Sequence, residues 1–243
     1  MRSVRRISIA LSAPALAAGL AGCVTTQEKN SWLLLRNARE LATETPVLVR
    51  AENSAVRVGP IHVVRAAGSA TLAVTLTDVV SRPLTDLPIS VGAIERGGRR
   101  TYLNGKATID YDDTHVPAIA AGATVSWILP DLHGIPPGRL FAVVGAARAP
   151  ASTTTATLPR ISASQVGAPT AGRLRVLVAN DSGLPQFGLQ VYAVALRDGR
   201  YVGAGRAAAG TLEGGHKETV ELKFTGTPAG ASLELYAPPT IFK

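Results

Sequence analysis

Apolar residues recur at every second position in a series of short stretches along the chain. Leu72, Val74 and Leu76 make one series, Leu87, Ile89, Val91 and Ala93 a second, and Val125, Trp127 and Leu129 a third. Successive side chains of an extended strand point to opposite faces, so a period of two marks a strand with one face buried. Turn residues separate the series. Arg96-Gly97-Gly98-Arg99 and Arg197-Asp198-Gly199-Arg200 stand between apolar runs and supply the positive φ that tight hairpin turns require. Asn180-Asp181-Ser182-Gly183-Leu184-Pro185 reads as a loop for the same reason. No long segment carries helical periodicity, so the pattern predicts an all-β protein of the sandwich kind.

The series occur twice. When Leu72 is laid on Leu174, Val74 and Leu76 fall on Val176 and Val178, Asp78 on Asn180, Pro83 on Pro185, and Leu87, Ile89, Val91 and Ala93 on Leu189, Val191, Ala193 and Ala195. Beyond the next hairpin the second copy is shorter. Val125, Trp127 and Leu129 then match Val220, Leu222 and Phe224, and Phe141 and Val143 match Leu233 and Leu235. In the second copy the alternate positions Arg173, Arg175, Gln190, Glu221, Lys223 and Glu234 are mostly polar, as expected of a solvated outer sheet face. Two separate sandwiches of one topology are expected, at 46–148 and 149–243, with Leu174, Val176, Val191, Leu222 and Leu235 inside the second core.

The N-terminus has a different grammar. Residues 1–22 comprise a charged start with Arg2, Arg5 and Arg6, an apolar run, and small residues, the architecture of an export signal peptide. The apolar run is shorter than the roughly 20 residues a membrane-spanning helix needs. It ends in Leu20-Ala21-Gly22-Cys23, which resembles the lipobox of bacterial lipoproteins, in which cleavage precedes a cysteine carrying diacylglycerol. Cys23 is the single cysteine of the chain. The resemblance implies that Cys23 is lipidated and becomes the first mature residue. Two or three acyl chains on one residue hold a protein firmly where one holds it marginally. Residues 23–45 read as the tether, and Ser31-Trp32-Leu33-Leu34-Leu35 within it as a short helix or a strand entering the first module.

The second copy resembles the immunoglobulin-like modules of bacterial surface proteins, especially the cell-adhesion-related (CARDB) and FxLYD-type domains. The resemblance rests on Ile161, Gly172, Val176, Val178, Asn180, Leu212 to Gly215, Val220 to Phe224, and Ala229-Gly230. It implies two tandem immunoglobulin-like β-sandwiches and covers most of the mature chain. The first copy departs from it at Asp78, which replaces the Asn, and in an extra loop after Gly105.

Charge and composition narrow the chemistry. The formal net charge is +8, but three of the 25 basic residues lie in the signal, leaving 22 against 17 acids in the mature chain. No segment is a polybasic patch with interleaved aromatics, so nucleic acid is not an expected partner. His62, His115, His133 and His216 show no metal-ligand spacing, and no Gly-x-Ser-x-Gly is present. Gly203-Ala204-Gly205 lacks the following helix of a phosphate loop and reads as strand-edge and turn residues. The densest set of possible ligands is Asp110-Tyr111-Asp112-Asp113-Thr114-His115, in the extra loop of the first copy. Ca²⁺ is the cation such oxygens suit, but Asp110, Asp112 and Asp113 lack the spacing and downstream Glu of a calcium loop. The loop is expected to be solvated and to bind no metal specifically. No cofactor is expected, since aromatics make up only 5% of the chain.

These observations lead to a non-catalytic, lipid-anchored envelope protein that acts in interaction, adhesion or structure. Its expected contacts are the membrane, through lipid on Cys23, and a protein partner in the envelope. The alternative is an accessory lipoprotein of a secretion, transport or cell-wall system that scaffolds a partner at the membrane. A hydrolase built from distant carboxylates ranks third. Val24 does not resemble an inner-membrane retention signal, so the expected location is the outer membrane in a host with two membranes, and otherwise the outer face of the cytoplasmic membrane.

Overall fold

The computed structural model describes residues 33, 48–66, 68–105, 110–146 and 157–240. The signal segment, the junction after Ala146 and the tether other than Leu33 lie outside them. Among the described residues the chain is nearly all β, in several antiparallel sheets, and no helix is long and apolar enough to cross a membrane.

The first half supplies β1 (Val56–Ala66), β2 (Ser69–Asp78), β3 (Leu84–Ile94), β4 (Arg100–Tyr102), β5 (His115–Ile119), β6 (Thr124–Leu132) and β7 (Arg139–Val144). The second supplies β8 (Ile161–Thr170), β9 (Arg173–Asn180), β10 (Gln186–Arg197), β11 (Arg200–Leu212), β12 (Lys217–Lys223), β13 (Thr225–Gly226) and β14 (Ser232–Tyr236). Strands β1, β2 and β6 form one sheet, and β3 pairs with β4, β5 and β7 in another. The pattern repeats: β8, β9 and β12 form one sheet, and β10 pairs with β11 and β14 in another. The strands of the two copies correspond as the aligned apolar series predict.

The turns correspond too. Asp78 Oδ1 accepts from the Val80 amide at 2.7 Å, and Asn180 Oδ1 accepts from the Ser182 amide at 3.1 Å, the same side-chain-to-backbone turn in both copies. Asn180 also donates to the carbonyls of Leu184 and Leu212, which an aspartate carboxylate has no proton to do. Positive φ at Gly97, Gly98, Asp198 and Gly199 confirms the two hairpin turns.

Each half has its own apolar cluster. Leu72, Val74 and Leu76 of β2 pack with Ile89 and Val91 of β3 and Val125, Trp127 and Leu129 of β6. Leu174, Val176, Val191 and Leu222 are buried in the second cluster, with Leu235 packed at its margin. The first cluster, however, also contains Tyr192, Val194 and Ala204. These occupy the face of β10 and β11 opposite to the one that buries Val191, Ala193 and Ala195. The sheets therefore succeed one another as β4-β3-β5, β1-β2-β6, β13-β11-β10-β14 and β12-β9-β8.

The outer face of β10, expected to be solvated, is consequently covered, and so is that of β2. Thr71 and Ala73 on the outward side of β2 are fully buried, and Gln190 on the outward side of β10 is 5% exposed. The His62 ring lies parallel to Tyr201, with centroids 3.8 Å apart, and Thr71 Oγ1 bonds Thr225 Oγ1 at 2.7 Å. Small residues permit this approach. A Cβ on Gly226, which has φ of 94°, would fall 2.7 Å from Val64 Cγ1. Gly203, Ala204 and Gly205 are buried inside the thirteen-residue β11 and are not turn residues; a Cβ on Gly205 would fall 2.3 Å from the Lys223 carbonyl oxygen. They are small because a neighbouring backbone crosses them.

Val176→Asp places a charge without a partner in the second cluster. It is expected to destabilise the mature chain by about 3 kcal/mol or more, measured as a fall in the urea midpoint. An unchanged midpoint would contradict the register of β9.

Candidate functional site

The described part of the loop that distinguishes the first copy, from Asp110 on, is a structured element. Asp110 caps a short 3-10 turn, Tyr111–Asp113, accepting from the Asp112 amide, and Thr114 Oγ1 donates to the Tyr111 carbonyl at 3.0 Å. The Tyr111 and His115 rings stack at 4.1 Å, and the His115 carbonyl accepts from Trp127 Nε1. Asn104 fastens the turn to β3 from beneath. Its Nδ2 donates to the carbonyls of Asp113 and Ile89 while its Oδ1 accepts from the Val91 amide.

The three aspartates have separate roles. Asp110 is exposed, but Asp112 is buried and Asp113 is only partly accessible. Gln190 Nε2 donates to Asp112 Oδ2 at 2.7 Å. Arg206 Nη1 donates to the Asp112 carbonyl at 3.1 Å, and its Nη2 lies 2.7 Å from Asp113 Oδ1. The expected solvated loop is thus a plug that inserts carboxylates of the first half between polar side chains of the second. Burial is possible because each carboxylate meets a donor. Among the described residues, no group of three or more His, Cys, Asp or Glu side chains is placed to hold a metal ion.

The surroundings tune these charges. Burial raises the Asp113 carboxyl above the ordinary aspartate range, and this outweighs the opposing pull of Arg206. Burial works against the Arg206 charge, but Tyr192, Asp113 and Asp112 around it prevail and its pKa is raised. Tyr192, register partner of Arg206, is pushed well up by burial and by Asp112, and its buried hydroxyl has no hydrogen-bond partner.

Beside this junction a cleft of about 510 Å³ opens between the halves, lined by Thr71, Asp131, Gln190, Gly205, Arg206 and Thr225, among others. Two of its polar side chains, Gln190 and Arg206, are engaged with Asp112 and Asp113. The arrangement is suited to fixing one half against the other. The histidines do not converge: His62 stacks on Tyr201 and burial lowers its pKa, His115 is buried in the loop, and His133 and His216 are exposed. Cys23 and the lipobox residues Leu20, Ala21 and Gly22 lie outside the described residues.

Sequence reasoning singled out the aspartates but not Gln190, Tyr192 or Arg206. A signal for Arg206 was present: it is the one large side chain in Gly203-Ala204-Gly205-Arg206-Ala207-Ala208-Ala209-Gly210. A lone cation in a run of residues small enough to be crossed by another backbone is a candidate buried ion-pair partner.

No family model matches the chain, and no curated protein matches it. Among solved structures, an arginine-to-alanine mutant of Bacillus subtilis oxalate decarboxylase OxdC aligns over 79% of each chain at 10% identity, with a TM-score of 0.16. Similarity at that level carries no argument about fold or activity.

Arg206→Ala leaves the Asp113 carboxylate without its ion-pair partner and the Asp112 carbonyl without its donor, and is expected to cost about 3 kcal/mol. Tyr192→Phe removes only an unsatisfied hydroxyl and should lie within about 1 kcal/mol of the parent, neutral or stabilising. Urea denaturation of both variants checks the pair, and equal losses would contradict the assigned roles.

The raised Asp113 pKa fixes the sign of its pH dependence. Its contribution to stability is fully present below the unfolded-state value, about 3.9, and is lost as pH rises through the folded-state value. Stability of the parent relative to Asp113→Asn should therefore fall over the interval above about pH 4, as read from denaturant midpoints. A rise over that interval would show that the ion pair, not burial, dominates.

Proposed function

We propose that the chain is a lipid-anchored envelope protein whose body is a tandem of two immunoglobulin-like β-sandwiches, at 46–148 and 149–243, acting as a non-catalytic interaction or structural module. The observation that carries this reading is Leu20-Ala21-Gly22-Cys23 at the end of a signal-like segment, on the chain's only cysteine. The antiparallel architecture and its repeated pairing pattern support the tandem reading. The junction supports a structural task, because Asp112, Asp113, Gln190 and Arg206 satisfy one another across the two halves.

Sheet edges offer a route to a protein partner. Strand β8 is largely exposed and lies at the edge of its sheet, where an extended segment can add through main-chain hydrogen bonds. The opposite edge, β12, carries Lys217, Glu218, Glu221 and Lys223, charges of the kind that discourage unspecific strand addition.

Lipidation decides the anchored reading. In cells fed a fatty-acid analogue, the parent chain should incorporate label and Cys23→Ser should not, with the variant released from the membrane fraction. Label retained in Cys23→Ser would overturn the anchor.

A further inference from the structure

The outermost sheet of the first half presents a face that sequence order conceals. Tyr102, Gly92 and Phe141 are aligned across β4, β3 and β7, and Arg100, Ile94 and Arg139 are aligned in the next row but one. Directly paired residues share a sheet face. The Tyr102 and Phe141 rings meet edge to face at 5.5 Å, and a Cβ on Gly92 would fall 2.8 Å from the Phe141 ring, so glycine lets the aromatics lie across β3. The Arg100 guanidinium sits 5.2 Å from the Phe141 centroid.

Four exposed arginines gather here: Arg96 and Arg99 from the hairpin turn, Arg100 from β4 and Arg139 from β7. Glu95 is the acid in their midst and is paired with Arg99. Arg96, Arg100 and Arg139 have no ion-pair partner among the described residues. Although the chain has no polybasic run, strand pairing brings Arg139 to the Arg96–Arg100 cluster.

The described body begins on this side. Leu48, half-exposed, approaches the same Gly105 position that Tyr102 crowds, and the Val49 amide donates to Ser90 Oγ on β3. Ser90 has the same parity on β3 as Gly92 and Ile94, so Val49 meets the arginine-bearing face.

We propose that this face rests on an anionic phospholipid bilayer, its arginines contacting lipid phosphates and Tyr102 and Phe141 lying at headgroup level. Unpaired cations give charge complementarity to such a surface, and aromatic side chains favour the membrane–water interface. The side chosen rests on the lipid-anchor reading, because Leu48 and Val49, where the described body begins, lie on this side of it. Arg173, Arg175, Lys217 and Lys223 form another basic face, but on the sheet at the opposite end of the succession.

The test uses the mature chain, residues 23–243 with Cys23→Ser, which retains every described strand. Its co-sedimentation is measured with vesicles of phosphatidylcholine alone and with vesicles containing about one third phosphatidylglycerol, a composition that supplies the negative surface potential. Binding is expected only to the anionic vesicles and should be lost at about 0.5 M salt. Arg100→Glu/Arg139→Glu should weaken it at least about tenfold, and Arg175→Glu/Lys217→Glu, the same charge change at the far sheet, by less than about twofold. Should the first pair not fold, Arg100→Gln/Arg139→Gln replaces it, with the same ordering expected. No binding, equal binding to both vesicle types, or equal loss in both double variants would overturn the proposal. The assay contains no lipid anchor, so its outcome is independent of the labelling of Cys23.

Discussion

Strands β2 and β10 bury both of their faces, and the relation between the two halves depends on this. On one side of β2, Leu72, Val74 and Leu76 close their own core, and on the other Thr71 and Ala73 meet the second half. Strand β10 does the same with Val191, Ala193 and Ala195 on one side and Tyr192 and Val194 on the other. Two sheets that had each solvated one face would need only a connector between them. Two sheets that cover each other's faces must instead match in shape, which Gly226 helps make possible, since a Cβ there would fall against Val64.

Matching shape leaves polar groups to be satisfied. A sheet face built to meet water carries hydroxyls, amides and charges, and covering it removes that water. The junction resolves this with reciprocal partners: Thr71 with Thr225, Gln190 with Asp112, Arg206 with Asp113, and Tyr236 with the Ala118 carbonyl. The Tyr192 hydroxyl, buried among these groups, has no hydrogen bond. Such a junction adds orientation more than net stability, since a buried ion pair spends much of its attraction on desolvation. The extra loop of the first copy belongs to this arrangement. It has no counterpart in the second copy because it reaches across to the second copy.

Basic side chains gather at both ends of the succession of sheets, although Arg57, Arg65, Arg197 and Arg200 are exposed on the inner sheets. The inner faces are occupied by packing and by paired groups, whereas the outermost faces carry unpaired arginines and lysines. At the first-half end those cations accompany aromatic side chains and the start of the folded body. At the other end they accompany Glu221, which pairs with Arg173.

Much of the fold was legible in the chain alone. Period-two series such as Leu174-Val176-Val178 identify strands and their buried face because alternation is a property of the extended backbone itself. The glycine and asparagine turns and the repeat are local for the same reason. The site was legible only in part. The sequence singled out Asp110, Asp112 and Asp113 as a cluster, but not that Asp112 and Asp113 would be buried, since polar residues at alternate positions look alike whether water or another polar face covers them. Gln190 and Arg206 acquire their roles from residues some eighty positions or more away, and Arg139 joins Arg100 only because both pair with Ile94. Local periodicity determines which face of a strand is apolar; only the tertiary structure decides what meets its other face, because that contact joins residues with no constraint on each other along the chain.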